Sequence, residues 1–225
     1  MNLDKYNKQI TIKNEKQIKI LLLVIILRHI MTYLFDVTEY IKSRELTIAV
    51  ECLIYFLLML PAFFAYKKIG IYKETIDLKN KKQYIYGILL VVPLVLAMCF
   101  VFDKPLKDLF SKDEDIYVIR DTDNFLWIFI FYMFVVALTE EMCYRLYIQG
   151  EMATLMGKVS FLAPLIASIP FGYMHIVQGF VPQAYFAFLM GLILGYAKQY
   201  IKDCTFISVV IAHGLYDFFA IYFVW

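Results

Sequence analysis

The sequence predicts an all-α fold: a polytopic membrane helix bundle of about seven transmembrane helices, with room for an eighth, re-entrant segment. Three observations carry this. The 225 residues are 62% hydrophobic and 18% aromatic, against about 45–50% apolar residues in soluble domains. The apolar residues gather into runs close to the roughly 20 residues that span a bilayer. Positive charge concentrates in alternate connections between those runs, as it does in the cytoplasmic loops of membrane proteins.

Residues 1–19 are polar and basic, with Lys5, Lys8, Lys13, Lys16 and Lys19, and read as a cytoplasmic segment. The run Ile20 to Phe35 follows, interrupted by Arg28 and His29. It lacks a small-x-small cleavage site and further spans follow, so it reads as an uncleaved first helix. The second span is about Leu46 to Tyr66, with Glu51 inside, and a basic loop runs from Lys67 to Gln83. Arg28 ascends and Glu51 descends to depths that can coincide, which predicts an ion pair between them. The third span is about Tyr84 to Val101. Residues 102–123 form a polar loop with the acidic cluster Asp113, Glu114 and Asp115. Residues 20–123 thus form an N-terminal region of helices and loops.

Residues 124–225 hold the remaining four spans. The fourth runs from Asn124 to about Tyr147, and Glu151 to Ser160 is a short connector at the inner surface. The fifth lies within Phe161 to Val181 and contains Pro164 and Pro170. The sixth is about Gln183 to Tyr200 and the seventh about Phe206 to Trp225. Gly191 and Gly195 on the sixth and Ala163 and Ala167 on the fifth have the small-x-x-x-small spacing that lets helix backbones approach in lipid. The lysine distribution places the N-terminus in the cytoplasm and the C-terminus outside a cell membrane. The inner loops carry Lys67, Lys68, Lys73, Lys79, Lys81 and Lys82, then Lys158, Lys198 and Lys202. No basic stripe with interleaved aromatics points to nucleic acid. Cys52, Cys99, Cys143 and Cys204 show no C-x-x-C spacing, which argues against a disulfide framework or a thiolate zinc site.

The chemistry sits in the stretch Leu138 to Gly150, LTEEMCYRLYIQG. It puts Glu140, Glu141 and Arg145 at the end of an apolar run. An ionised group in hydrocarbon costs roughly 2.5–3.5 kcal/mol on insertion scales, so such residues are rare and usually functional. On a helix, Glu141 and Arg145 share a face and can pair. Glu140 is turned by about 100° and lacks that partner. Downstream, Phe171 and His175 repeat the same spacing, as do His213 and Asp217. Glu140, His175, His213 and Asp217 can therefore meet inside one bundle. Their depths agree if the fifth span starts late, near Ala163 or Leu165. Glu140 and His213 each then lie on the order of 10 Å from the inner end of their helices.

The motifs Glu-Glu-x-x-x-Arg (Glu140, Glu141, Arg145), Phe-x-x-x-His (Phe171, His175) and His-x-x-x-Asn/Asp (His213, Asp217) together resemble the CPBP family of membrane proteins. That family includes the CaaX prenyl-protein endoproteases and bacterial bacteriocin-processing or self-immunity (Abi) proteins. The run from Gly191 through Ile207 and Ser208 to His213 is similar to the family's third and fourth motifs. The resemblance covers roughly Asn124 to Trp225 and makes 124–225 a CPBP-like catalytic core. It implies an intramembrane glutamic endopeptidase with no metal or other cofactor, acting on a peptide or membrane-protein substrate. In that implication Glu140 is the general base that activates water, assisted by His175. His213 and the residue at 217 stabilise the oxyanion, and Glu141, Arg145 and Phe171 support the site. Asp217 departs from the family, whose CaaX proteases have Asn there. An ionised Asp only accepts hydrogen bonds, so it either orients His213 or is protonated.

Other readings stay open on the residues alone. His175, His213 and a carboxylate could ligate zinc with an open position, although H-E-x-x-H is absent. A non-catalytic immunity or regulatory protein that binds a peptide or partner needs the same bundle, and a proton-relay transporter also buries Glu and His. No prenyl-binding feature is identifiable. The Lys- and Ile-rich composition is that of a bacterium with an AT-rich genome, which favours a leader, pheromone or bacteriocin peptide as substrate.

Overall fold

The structure is a computed structural model describing residues 3–70, 72–74, 76–102, 125–178 and 181–220. The acidic cluster at 113–115 and the C-terminal end at Trp225 lie outside the described residues. Every secondary-structure element among the described residues is helical, and none is a strand. The chain is an all-helical membrane protein.

Helix α1, Leu3–Thr32, runs unbroken from the basic segment into the first apolar run, and a 3-10 stretch, Tyr33–Tyr40, follows. Helix α2, Arg44–Lys68, is capped by Ser43, whose hydroxyl accepts from the Leu46 N–H at 3.4 Å. Helix α3, Lys81–Phe102, starts at Asn80, whose side chain accepts from the Lys82 N–H at 3.2 Å. It is interrupted at Leu90. Pro93 explains the break: it has no N–H to donate, and its ring crowds the carbonyl of Leu89 one turn back.

Helix α4 occupies residues 125–156. Phe125–Ile130 and Leu138–Glu141 are α-helical, Phe131–Ala137 and Met142–Gln149 are π-helical, and Gly150–Met156 completes it. It stops at Gly157, whose φ of +54° is a conformation that glycine adopts readily and other residues rarely. A 3-10 turn, Gly157–Leu162, leads into α5, Ala163–Gln178. This is the late start the depth argument predicts. Pro164 sits in the first turn of α5, where a missing N–H costs little. Pro170 lies in its interior, leaving the Ile166 carbonyl without its helical donor. Helix α6 is Val181–Tyr200 and α7 is Phe206–Phe219. A capping box opens α7: Thr205 Oγ1 accepts from the Ile207 N–H at 3.2 Å, and Ser208 Oγ accepts from the Thr205 N–H at 3.0 Å.

Among the described residues, three helical stretches are long and apolar enough to cross a membrane: Leu46–Lys68, Lys81–Phe102 and Phe125–Ile176. Phe206–Phe219 is a shorter apolar helix. Leu22, Leu23, Ile26 and Ile30 on α1 and Leu89, Val92, Leu96 and Phe100 on α3 face outward. A contiguous apolar exterior of this kind fits lipid rather than water.

Helix α4 is the axis of the bundle. Residues 139–151 are buried at every position, as expected for a helix packed on all sides. Helices α2, α5 and α7 pack against it. Helix α6 packs tightly on α5, and the G-x-x-x-G spacing shows why. A Cβ at Gly191 would lie 2.7 Å from Ser168 Oγ, and one at Gly195 would lie 3.0 Å from Pro164 Cβ, both on α5. Both glycines are required by close approach.

The loop between α2 and α3 fastens the start of α7. Glu74 accepts from the Phe206 N–H at 2.7 Å and pairs with Lys198 at 2.7 Å. The Tyr72 hydroxyl donates to Glu74 at 2.9 Å. Burial, reinforced by the Glu74 carboxylate, pushes the Tyr72 phenol up, so it stays protonated and remains a donor. Glu151, expected on an inner-surface connector, is instead buried, and its carboxylate accepts from the Tyr72 N–H at 2.8 Å. These bonds set the height of α7, and with it the height of His213.

Candidate active site

The site forms where α4, α5 and α7 meet, with α1 closing one side. Glu140 and Glu141 are 2% and 0% exposed and Arg145 is 1% exposed. Charges this deeply buried are tolerated only when paired and hydrogen-bonded. The pairing predicted by spacing is present: Arg145 Nε lies 3.2 Å from Glu141 Oε2. The other oxygen of Glu141 lies 2.8 Å from His213 Nδ1. Glu141 therefore has one oxygen hydrogen-bonded to His213 and the other in a charge contact with Arg145, outside hydrogen-bond geometry, and ties α4 to α7.

His213 is held from both sides. Its Nε2 lies 3.1 Å from Asp217 Oδ2, one turn along α7. Ionised carboxylates accept and cannot donate, so with both carboxylates ionised the two contacts call for N–H on both ring nitrogens. Asp217 thus lies against the ring of His213, one turn along the same helix. Nε2 also lies 3.8 Å from Glu140 Oε2.

Glu140 differs from its neighbour. Its contacts among the described residues are two longer charge contacts, to His213 and to Arg28. Arg28 Nη2 lies 3.7 Å from Glu140 Oε1. This corrects two expectations. Arg28 does not pair with Glu51, because its guanidinium is taken up by α4: Nε donates to the Tyr144 hydroxyl at 3.2 Å and Nη1 approaches Cys143 Sγ at 3.5 Å. Glu51 is not among the groups that act on it. Nor is Glu140 without a cation, since Arg28 supplies one from α1.

Phe171 and His175 share a face of α5, as their spacing predicts. Phe171 is fully buried. The Arg145 guanidinium lies over its ring at 4.2 Å, and its ring meets those of His175 at 5.0 Å and His213 at 6.1 Å. It is the apolar partition that keeps Arg145 on Glu141. His175 is half-buried, and its Nδ1 lies 2.9 Å from the Phe171 carbonyl oxygen. A carbonyl only accepts, so the proton sits on Nδ1. The described contacts of His175 are to Phe171; the structure brings Glu140, Glu141, Arg145, His213 and Asp217 into direct contact and places His175 beside them through Phe171.

The sequence reading missed Arg28 as part of this site, together with Tyr144, whose hydroxyl takes the Arg28 bond and itself donates toward Met174 Sδ at 3.4 Å. The signal for Arg28 was its charge inside an apolar run; nothing in the sequence named its partner. Among the described residues, no three His, Cys, Asp or Glu side chains are arranged to hold a metal ion.

Residues 122–219 match the family described as Rce1-like, type II CAAX prenyl endopeptidase Rce1-like. The match covers somewhat under half of the chain, contains every motif residue above, and bears out the resemblance to the CPBP family. Neither the curated proteins nor the solved structures yield a match.

Proposed function

We propose, for a chain whose residues 122–219 belong to the Rce1-like CAAX-protease family, that this membrane peptidase is an endopeptidase using glutamate-activated water. The observation that carries the reading is the unequal treatment of the two glutamates. Glu141 has one oxygen hydrogen-bonded to His213 at 2.8 Å and the other ion-paired with Arg145 at 3.2 Å, so it holds the site in shape. Among the described residues, the charged groups nearest the Glu140 carboxylate lie at 3.7 and 3.8 Å, longer than the contacts of Glu141, which suits a carboxylate that receives a proton from water.

The residues then divide the reaction. Glu140 takes a proton from water as the water oxygen attacks the scissile carbonyl. Proton transfer of this kind contributes typically 10²–10⁴-fold. The His213 ring, held by Glu141 and Asp217, acts on the tetrahedral oxyanion through its positive charge, since both of its nitrogens face those carboxylates. When the C–N bond breaks, Glu140 returns its proton to the leaving amine. His175, set beside the site through Phe171, assists in moving that proton. Lining by Phe171 and the buried α4 keeps bulk water out.

The substrate we propose is a hydrophobic or lipid-anchored peptide that reaches the site from the membrane. The test uses purified protein in detergent with three peptides: a prenylated CaaX peptide, its unprenylated counterpart and an apolar leader-type peptide. Mass-resolved cleavage of at least one, unaffected by chelators, is expected. No cleavage of any of them would remove the peptidase reading, and activity lost to chelation and restored by zinc would replace it with a metallopeptidase.

A further inference from the structure

Helix α1 lies wholly outside the segment that matches the family, yet it sends one cation into the site. We infer that Arg28 is a positioning residue for the Glu140 carboxylate, so that the site is completed by the N-terminal helix. This rests on the reading of Glu140 as the base.

Arg28 is 1% exposed. Its Nε and Nη1 are bound by the Tyr144 hydroxyl and by Cys143 Sγ, both on α4, and its guanidinium lies over the Tyr144 ring at 5.0 Å. Those contacts aim the remaining nitrogen. Nη2 has no hydrogen bond among the described residues and points at Glu140 Oε1, 3.7 Å away. Arg28 is therefore held by the same helix that carries the carboxylate, one turn from it. The planar guanidinium suits this, since its fork lets two donors fix the group while a third faces the target. The next residue, His29, lies with its ring 5.0 Å from that of Tyr173 on α5, two positions before His175. Helix α1 thus grips the site at two points, one on each of the helices bearing Glu140 and His175.

The gap of 3.7 Å also matters. A close bidentate pair would engage Glu140 as fully as Glu141 is engaged. Arg28 instead compensates the buried charge from beside one oxygen, while the other faces His213.

The test has two arms. In the first, Arg28→Met and Arg28→Lys are assayed against the peptide cleaved by wild type. Arg28→Met should lower kcat by about 10²-fold, the usual penalty of a misplaced catalytic group, with KM nearly unchanged, and Arg28→Lys should recover part of kcat. The second arm needs no activity: thermal stability of Arg28→Met, Glu140→Gln and the double variant. Each single change leaves a buried group without its counter-charge, so the double variant should melt higher than the summed effects predict. If Arg28→Met alone does not fold, the double variant should. Additive stability, a double variant that also fails to fold, or an unchanged kcat in Arg28→Met would overturn the inference. Non-additive melting with no peptide cleaved by wild type would keep the pair and remove the peptidase reading instead.

Discussion

Asp217 stands where the resemblance to the CaaX proteases implies Asn, and its geometry decides what a substitution should do. Oδ2 lies 3.1 Å from His213 Nε2. An Asn side chain keeps an accepting oxygen, so Asp217→Asn should retain cleavage within about tenfold, a loss of no more than 1.4 kcal/mol. Asp217→Ala should release the His213 ring and cost more. Equal losses in both variants, measured as kcat per folded molecule, would contradict an orienting role. His175→Ala should reduce cleavage with little change in melting, because the described contacts of that half-buried ring are to its own helix. At this scale the sequence was informative wherever partners share a helix: Glu141 with Arg145, Phe171 with His175 and His213 with Asp217 all follow from side chains one turn apart. Contacts between helices were not legible. His213 on Glu141 spans 72 residues, and Arg28 on Glu140 joins helices from opposite halves of the chain. Periodicity carries no information about such pairs.

Helix ends and packing faces were read in part from sequence. The start of α5 at Ala163 followed from matching depths across three helices, a geometric constraint that a single sequence can impose. The interruption of α3 and the π-helical stretches of α4 were not anticipated. Pro93 is a visible cause for the first. The second has no signature in residue type, and i→i+5 bonding commonly marks functional sites. The close approach of α5 and α6 makes a direct prediction. Gly191→Leu must displace Ser168 and crowd Arg145, whose Nη2 would lie 3.2 Å from the new Cβ. Overpacking of this kind costs about 1–3 kcal/mol, so the variant should melt lower in detergent and lose activity with it. An unchanged melting temperature would show that α5 and α6 are not packed this closely.

Across the whole molecule, the outward apolar faces of α1 and α3 and the buried charges of α4 describe a membrane protein with a polar centre. Its orientation we propose from lysine distribution: N-terminus inside, C-terminus outside. Reporter fusions after Lys82 and after Trp225 should fall on opposite sides, and finding them on the same side would sink the seven-span arrangement. The central claim is that the bundle gives two adjacent carboxylates different work. Glu141→Gln removes the charge that holds a fully buried Arg145, a destabilisation of about 3–5 kcal/mol, so it should express poorly and melt early. The measurement that tests the claim most directly is peptide cleavage per folded molecule for wild type and Glu140→Gln, side by side. The account predicts a folded Glu140→Gln protein with no turnover above background; cleavage by that variant at the wild-type rate would contradict it.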